Sequence, residues 1–442
     1  MLPLRLVVAA LAVVSLADAI DGWIPGRLAA THVPGVSIAV VQNQRIVKAA
    51  GYGAANLELG TAATADTVYE IGSISKQFAA EALLLLRDEG KVSLDDPISR
   101  YVDGTPAAWA PITLRHILTH TAGLADFDTG NIGFSYRREY TSAEFVQLLG
   151  AQPLSFAPGT AWNYTNAFPL IGMVVERVSG RPYTDFVRTR IFEPLGLTSA
   201  RFKTNTGIVP HRADGYYWKN GGYQHGEPLR PQVIAANGGV MMNVADFAKW
   251  DIALTSGRLL KSSTLTEMST PVRLADGTTV SHGLGWFMDT FNGHRFGAHW
   301  GTTVTGHSAV IRRYDEGVTV IVLGNLDDGG LAVDAMSKHI ANVYLPGTAL
   351  EGLTPRPDPQ PADTARIRRE IVPGTNTRLA EALAAERFEF LGDEVLTPYH
   401  FNTDHSVARL RRYRATTPAW TRYVTVRLGA DGSVRGAFAE EP

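Results

Sequence analysis

The chain has 442 residues, 45% apolar and 19% charged, with 41 Lys plus Arg against 43 Asp plus Glu and no cysteine. These proportions exclude disordered, collagen-like and coiled-coil chains, and the near-neutral balance gives no broad electrostatic footprint for nucleic acid. Without thiols, disulfides, cysteine nucleophiles, iron–sulfur clusters and thiolate zinc sites are excluded as well.

Met1–Arg5 carries one positive charge, Leu6–Ala17 is an unbroken run of apolar and small residues, and Ala17-Asp18-Ala19 follows with the small-x-small pattern of a signal-peptidase site. A span needs about 20 apolar residues, so the pattern predicts a signal peptide over 1–19 with cleavage after Ala19. The mature protein is then exported, periplasmic or secreted, with no membrane span. Next, Gly35–Val41 and Arg45–Gly51 read as strands joined by the polar turn Gln42-Asn43-Gln44.

In Glu70-Ile71-Gly72-Ser73-Ile74-Ser75-Lys76-Gln77-Phe78 a strand-like stretch passes through a glycine into a helix. Ile74, Phe78, Ala82, Leu85 and Leu86 recur at helical spacing, and Gly90 stops the run. Ser73 then lies in the first turn with Lys76 three residues on, on the same helical face. The helix N-terminus directs N–H groups and positive potential to the same place, the setting a serine needs to become a nucleophile.

His116 and His120 stand at i, i+4, but no Glu follows His116 as a zincin requires, so a structural role is expected and no metal site. Pro158-Gly159 forces a turn, after which Tyr164 and Asn166 point the same way along an extended stretch that precedes a helix from about Pro169 to Val178. Tyr216–Tyr223 reads as an aromatic hairpin turning at Asn220-Gly221. Gly297-Ala298-His299-Trp300-Gly301-Thr302 lies in a strand region with Ser308–Arg313 and Val318–Gly324 as partners, and Gly301 admits a close backbone approach.

Leu353–Pro361 holds four prolines in nine residues and reads as an extended connector. Beyond it, Thr375–Ala385 looks helical, and Val407–Ala415, Tyr423–Leu428 and Ser433–Phe438 look like strands, the last two joined at Asp431-Gly432. Arg409, Arg411, Arg412, Arg414, Arg422 and Arg427 crowd these strands and read as a solvated face. The expected layout is a signal peptide at 1–19, a main domain at 20–350, a Pro-rich linker at 351–361 and a small α+β domain at 362–442. The main domain exceeds the size of one core, which suggests a sheet subdomain plus a helical one.

Taken together, Ser73-x-x-Lys76, Tyr164-x-Asn166 and His299-Trp300-Gly301 resemble the penicillin-recognising serine hydrolases. The branch is that of class C β-lactamases, serine D-Ala-D-Ala peptidases, D-aminopeptidases and related esterases. Val33-Pro34-Gly35, Ile112–Leu124, Gly238-Gly239-Val240 leading to Asp246, and Gly283-Leu284-Gly285-Trp286 are similar to the family too. The likeness runs from about Ile20 to about Tyr344 in the family's order.

The resemblance implies an α+β (three-layer α/β) fold, with an antiparallel sheet flanked by helices, an all-helical subdomain and the active site between them. Ser73 would form an acyl-enzyme, Lys76 and Tyr164 would together accept and return its proton, and Asn166 would orient the substrate amide and hold Lys76. The backbone N–H groups of Ser73 and Thr302, the latter presented after Gly301, would make the oxyanion hole. His299 replaces the lysine of class C β-lactamases. It suggests a positive charge that is lost as pH rises, so that turnover of a carboxylate-bearing substrate falls as pH rises through histidine's titration. The expected function is hydrolysis of an ester or amide, above all a D-amino-acid-containing peptide or a small ester. The alternatives are a β-lactamase and a penicillin- or peptidoglycan-binding protein that acylates without efficient turnover. The partner is a small-molecule or peptide substrate with cell-wall contact as an option; no cofactor or nucleic acid is implied, and oligomeric state is left open.

Overall fold

The computed structural model describes residues 19–226, 231–374, 376–396 and 406–440. The predicted signal peptide, apart from Ala19, lies outside the described residues. The chain divides into two compact units: residues up to Thr270 with His282–Tyr344, and Pro271–Ser281 with the residues from Leu345 on.

The first unit is built on a seven-stranded sheet in the order Thr61–Ala62, Arg45–Asn56, Gly35–Gln42, Val318–Gly324, His307–Tyr314, His294–Thr303, Phe287–Phe291. Every neighbouring pair is antiparallel. The first hairpin turns on two residues, Asn43 at φ 50 and Gln44 at φ 61, the left-handed pair that matches the twist of the flanking strands. Val318–Gly324 is buried along its whole length, and Gly35–Gln42 is buried but for its last residue. Their apolar runs fit central strands: Leu331–Tyr344 packs on Val318–Gly324 and His307–Tyr314, while Val244–Thr255 packs on Gly35–Gln42, Arg45–Asn56 and Val318–Gly324. The motif strand His294–Thr303 pairs with Phe287–Phe291 and His307–Tyr314; Val318–Gly324 pairs with His307–Tyr314 instead, one strand further from the motif than expected.

Beside the sheet, the helix Ser75–Asp88 packs against Pro169–Ser179, Tyr183–Val187 and Ala235–Gly238. It is buried from Ser75 to Leu86. A helix surrounded in this way carries apolar residues on every face, which is why Leu83 to Leu86 is a continuous apolar run. Burying the helix also takes its polar residues, Lys76 among them, out of water.

The second unit has a four-stranded antiparallel sheet, Arg387–Val395, Arg409–Thr416, Thr421–Leu428 and Val434–Glu440, with the helices Pro361–Glu370 and Thr377–Ala384. Ile367, Leu379, Ala382, Tyr413, Val424 and Val426 form its core. Two of these elements were not expected. Pro361 ends the proline run but occupies the first helical turn, where its missing N–H costs nothing. Arg387–Val395 is an edge strand whose charges and a bulge between Phe390 and Gly392 hide its alternation.

The arginine face is a correction. Arg411 is fully buried, with its guanidinium on Asp358 and, at 2.7 Å, on Asp393, and its Nε donating to the Tyr413 hydroxyl at 2.6 Å. The strand register explains this, since it sets Asp393 opposite Arg411 and Glu389 opposite Arg414. Arg414 pairs with Glu389 at 2.8 Å, and Arg412 and Arg422 pair with Glu394 and Glu381. Arg411 and Arg422 are thus buried and matched within their own unit, while Arg412 and Arg414 stay partly exposed in cross-strand pairs.

Candidate active site

Ser73 sits in the single turn Gly72–Ile74 that leads into the helix Ser75–Asp88. Gly72 is at φ +54, and a Cβ there would lie 2.5 Å from the Thr302 carbonyl oxygen. A Cβ on Gly301 would lie 2.0 Å from the Ile71 oxygen and 2.9 Å from the Ser73 nitrogen. Two residues without side chains therefore let the strand His294–Thr303 lie directly against the nucleophile's turn.

Lys76 has no exposed surface. Its Nζ donates to Ser73 Oγ at 2.9 Å, to Asn166 Oδ1 at 2.9 Å and to the Asn237 carbonyl at 3.5 Å, and it lies 5.0 Å from the centre of the Tyr164 ring. Tyr164 lies near Ser73. Burial pushes its phenol above the ordinary value near 10; the Ser73 hydroxyl works against that rise, and the charges of Asp126 and Asp128 add to it. Asn166 also accepts from Asn237 Nδ2 at 3.1 Å, and its own Nδ2 donates to both carboxylate oxygens of Asp126 at 3.2 Å.

His299 is 1% exposed. Its Nδ1 is 2.7 Å from the Trp300 carbonyl, which can only accept, so the proton is assigned to Nδ1 and Nε2 is left as a buried acceptor without a partner. Burial first, and the charge of Lys76 second, hold its pKa well below the ordinary 6.5. The imidazole is therefore neutral at physiological pH, which overturns the expected charge switch. A histidine on a sheet edge titrates normally only while water can reach it, and here the ring is sealed against Phe287 at 5.3 Å between centroids and Tyr164 at 6.2 Å.

The structure thus gathers Ser73, Lys76, Tyr164, Asn166, His299, Gly301 and Thr302 in one place, and it adds neighbours to which the motifs assigned no part in the site, His120 among them. His120 stands at φ +58; its Nδ1 accepts from the Thr165 N–H at 3.2 Å and its carbonyl from the Asn163 N–H at 3.0 Å. Its ring packs on Tyr164 at 4.5 Å and on His282 at 4.8 Å. His282 is fully buried and held neutral, its pKa lowered to about 3 chiefly by that burial. His116, the other half of the i, i+4 pair, serves a helix cap with Thr113. At the far end of the strand the Tyr217 hydroxyl, from the hairpin Tyr216–Lys219 and Gly222–His225, donates to the Thr303 carbonyl at 3.3 Å. Asp126 and Asn237 had weak signals in the sequence: the one lies two residues past the Thr121–Leu124 motif, the other directly before Gly238-Gly239.

The sequence profile of the Beta-lactamase family matches residues 20–344. The chain is 27% identical over 305 residues to penicillin-binding protein 4* of Bacillus subtilis, covering 63% of this chain and 65% of that protein. It is 30% identical over 206 residues to esterase EstB of Burkholderia gladioli, covering 42% of this chain and 52% of that one. The crystal structure of the D-amino acid amidase of Ochrobactrum anthropi SV3 superposes with a TM-score of 0.63 at 27% identity, over 75% of this chain and 99% of that one. The chain spans less than two thirds of the length of the curated relatives it matches.

Proposed function

The chain belongs to the Beta-lactamase family, and on that premise we propose that it is a serine hydrolase that forms an acyl-enzyme on Ser73 and hydrolyses an ester or amide. The carrying observation is the 2.9 Å contact from the buried Lys76 Nζ to Ser73 Oγ, which is itself only partly buried and open to substrate. As Ser73 Oγ bonds to the carbonyl carbon, Lys76 and Tyr164 take up its proton and return it to the leaving nitrogen or oxygen as that bond breaks. A phenol whose pKa burial has raised is protonated at rest, so Tyr164 is no standing phenolate: it takes the Ser73 proton as it gives its own to Lys76, which must enter the step as the uncharged amine. The N–H groups of Ser73 and Thr302 receive the oxyanion, which the close approach at Gly72 and Gly301 supports. Water then attacks the acyl carbonyl and frees Ser73.

The substrate class in this reading is a D-amino-acid-containing peptide or amide, or a small ester. A neutral His299 favours both over a β-lactam or a peptide recognised by its carboxylate, because no positive charge stands at that position. The catalytic part is residues 20–350, the appendage 362–442. Export through a leader ending at Ala19 belongs to the same proposal; no helix among the described residues is long and apolar enough to cross a membrane. Sequencing the N-terminus of protein recovered outside the cytoplasm tests the leader. Intact mass measurement after incubation with penicillin, a D-Ala-D-Ala peptide and a nitrophenyl ester tests the chemistry. At least one acyl increment is expected on the wild type and none on Ser73→Ala; an increment on that variant at another residue overturns the assignment.

A further inference from the structure

We propose that Asp126 is a positioning residue for the acylation step: it fixes, through Asn166, the amide oxygen that Lys76 holds while it contacts Ser73. The inference rests on the acyl-enzyme reading above and concerns a residue outside the three motifs.

A side-chain amide can sit either way round, and its neighbours decide which. On one side of Asn166 stand two donors, Lys76 Nζ at 2.9 Å and Asn237 Nδ2 at 3.1 Å, and both meet Oδ1. On the other side stands an acceptor, the Asp126 carboxylate, whose two oxygens each lie 3.2 Å from Nδ2. Turning the amide over would set NH2 against two donors and C=O against a carboxylate. Asn166 is only 9% exposed, so water does not relieve that mismatch.

Asp126 also fixes the backbone at this point, because the Asn166 N–H donates to its Oδ2 at 3.2 Å. The carboxylate is itself held by its own loop: Oδ1 accepts from the N–H groups of Asp128 at 2.7 Å and Thr129 at 3.2 Å. The groups bonded to it, the Asn166 N–H and Nδ2 and the N–H groups of Asp128 and Thr129, are all donors, so a side chain end that only accepts suits the place and an amide does not. A charged acceptor at one end of Asn166 polarises the amide and makes its oxygen a stronger acceptor at the other, where Lys76 sits. The chain Asp126–Asn166–Lys76–Ser73 thus joins a surface loop to the nucleophile through three contacts.

Asp126→Asn keeps the shape and puts an NH2 among donors. In single-turnover reactions with a p-nitrophenyl ester, we expect its acylation rate constant to fall about 10- to 100-fold, the range that outer partners of a polar site carry, with the ester's binding constant little changed. Asp126→Glu, which keeps the charge, recovers part of the rate. Asn166→Ala also slows acylation, and Asp126→Asn added to Asn166→Ala costs nothing further, since the path through Asn166 is already cut. Multiplying losses in the double variant, an effect on binding alone, or wild-type acylation by Asp126→Asn overturns the proposal. Loss of melting temperature without this split also overturns it, because that is what a purely structural carboxylate gives. A wild-type protein that turns over the ester with no Ser73 adduct sinks the acyl-enzyme reading instead, so the two failures are distinct.

Discussion

At the scale of single residues, burial sets the chemistry of the site more than residue type does. Lys76 and His299 are removed from water and Tyr164 is partly so, and for the tyrosine and the histidine the direction is the same: the neutral form is favoured. For His299 the sign follows directly. Its folded pKa lies well below the ordinary 6.5, so it carries no proton on Nε2 at any pH between that depressed value and alkaline solution. The ratio of acylation rates for a carboxylate-bearing ester and its uncharged counterpart is therefore expected to stay constant from about pH 5.5 to 8, the interval in which a solvated histidine changes charge. Stopped-flow measurement of both esters across that interval checks this, and an inflection near the ordinary histidine pKa that disappears in His299→Gln would show a charged imidazole acting on substrate.

At the scale of elements, the decisive contact is between the strand His294–Thr303 and the turn that carries Ser73. Hydrogen bonding within the sheet places the strand, with Gly301 opposite Ala309 and Thr302 opposite Ser308. The helix Ser75–Asp88 places the turn, held among three neighbouring helices. Where the two meet there is no space for a β-carbon, 2.0 Å from the Ile71 oxygen. Gly301→Ala must push the strand off the turn, and with it the Thr302 N–H. Loss of one oxyanion donor costs about 100- to 1,000-fold in rate, and acylation by a nitrophenyl ester is expected to fall by that much. The fold remains, as a melting temperature within a few degrees of wild type would show. An unimpaired Gly301→Ala enzyme would mean that Thr302 is no part of the oxyanion site.

At the scale of the molecule, two units each have their own core and their own buried charges. In the second unit Arg411 joins Asp358, Asp393 and Tyr413 at the centre of a strand. Arg411→Ala leaves two carboxylates facing each other across the gap, and removing one side of such a buried pair costs about 3 kcal/mol. Amide hydrogen exchange should speed up in peptides from 345–442 and remain slow in the central strand Val318–Gly324. Uniform acceleration over both would show that the units unfold as one.

Much of this protein was legible in the sequence, and the reason is local. The strand pair at Gly35–Val41 and Arg45–Gly51, the helix after Ser73 and the Asn220-Gly221 turn follow from short-range backbone periodicity and turn chemistry, and all appear in the structure. The family likeness read from Ile20 to Tyr344 coincides with the matched range 20–344, because three motifs in fixed order identify it without any contact being known. The edge strand Arg387–Val395 was missed because a bulge and its charges break the alternation on which such reading depends. What only the tertiary structure decided are properties that depend on neighbours distant in the chain. Asp126 meets Asn166 from 40 residues away, and Asp393 meets Arg411 by strand register. The charge of His299 depends on how completely Phe287 and Tyr164 cover it. Sequence determined which reactive groups the chain carries; their protonation and orientation were set by burial and by which donors and acceptors folding brought against them.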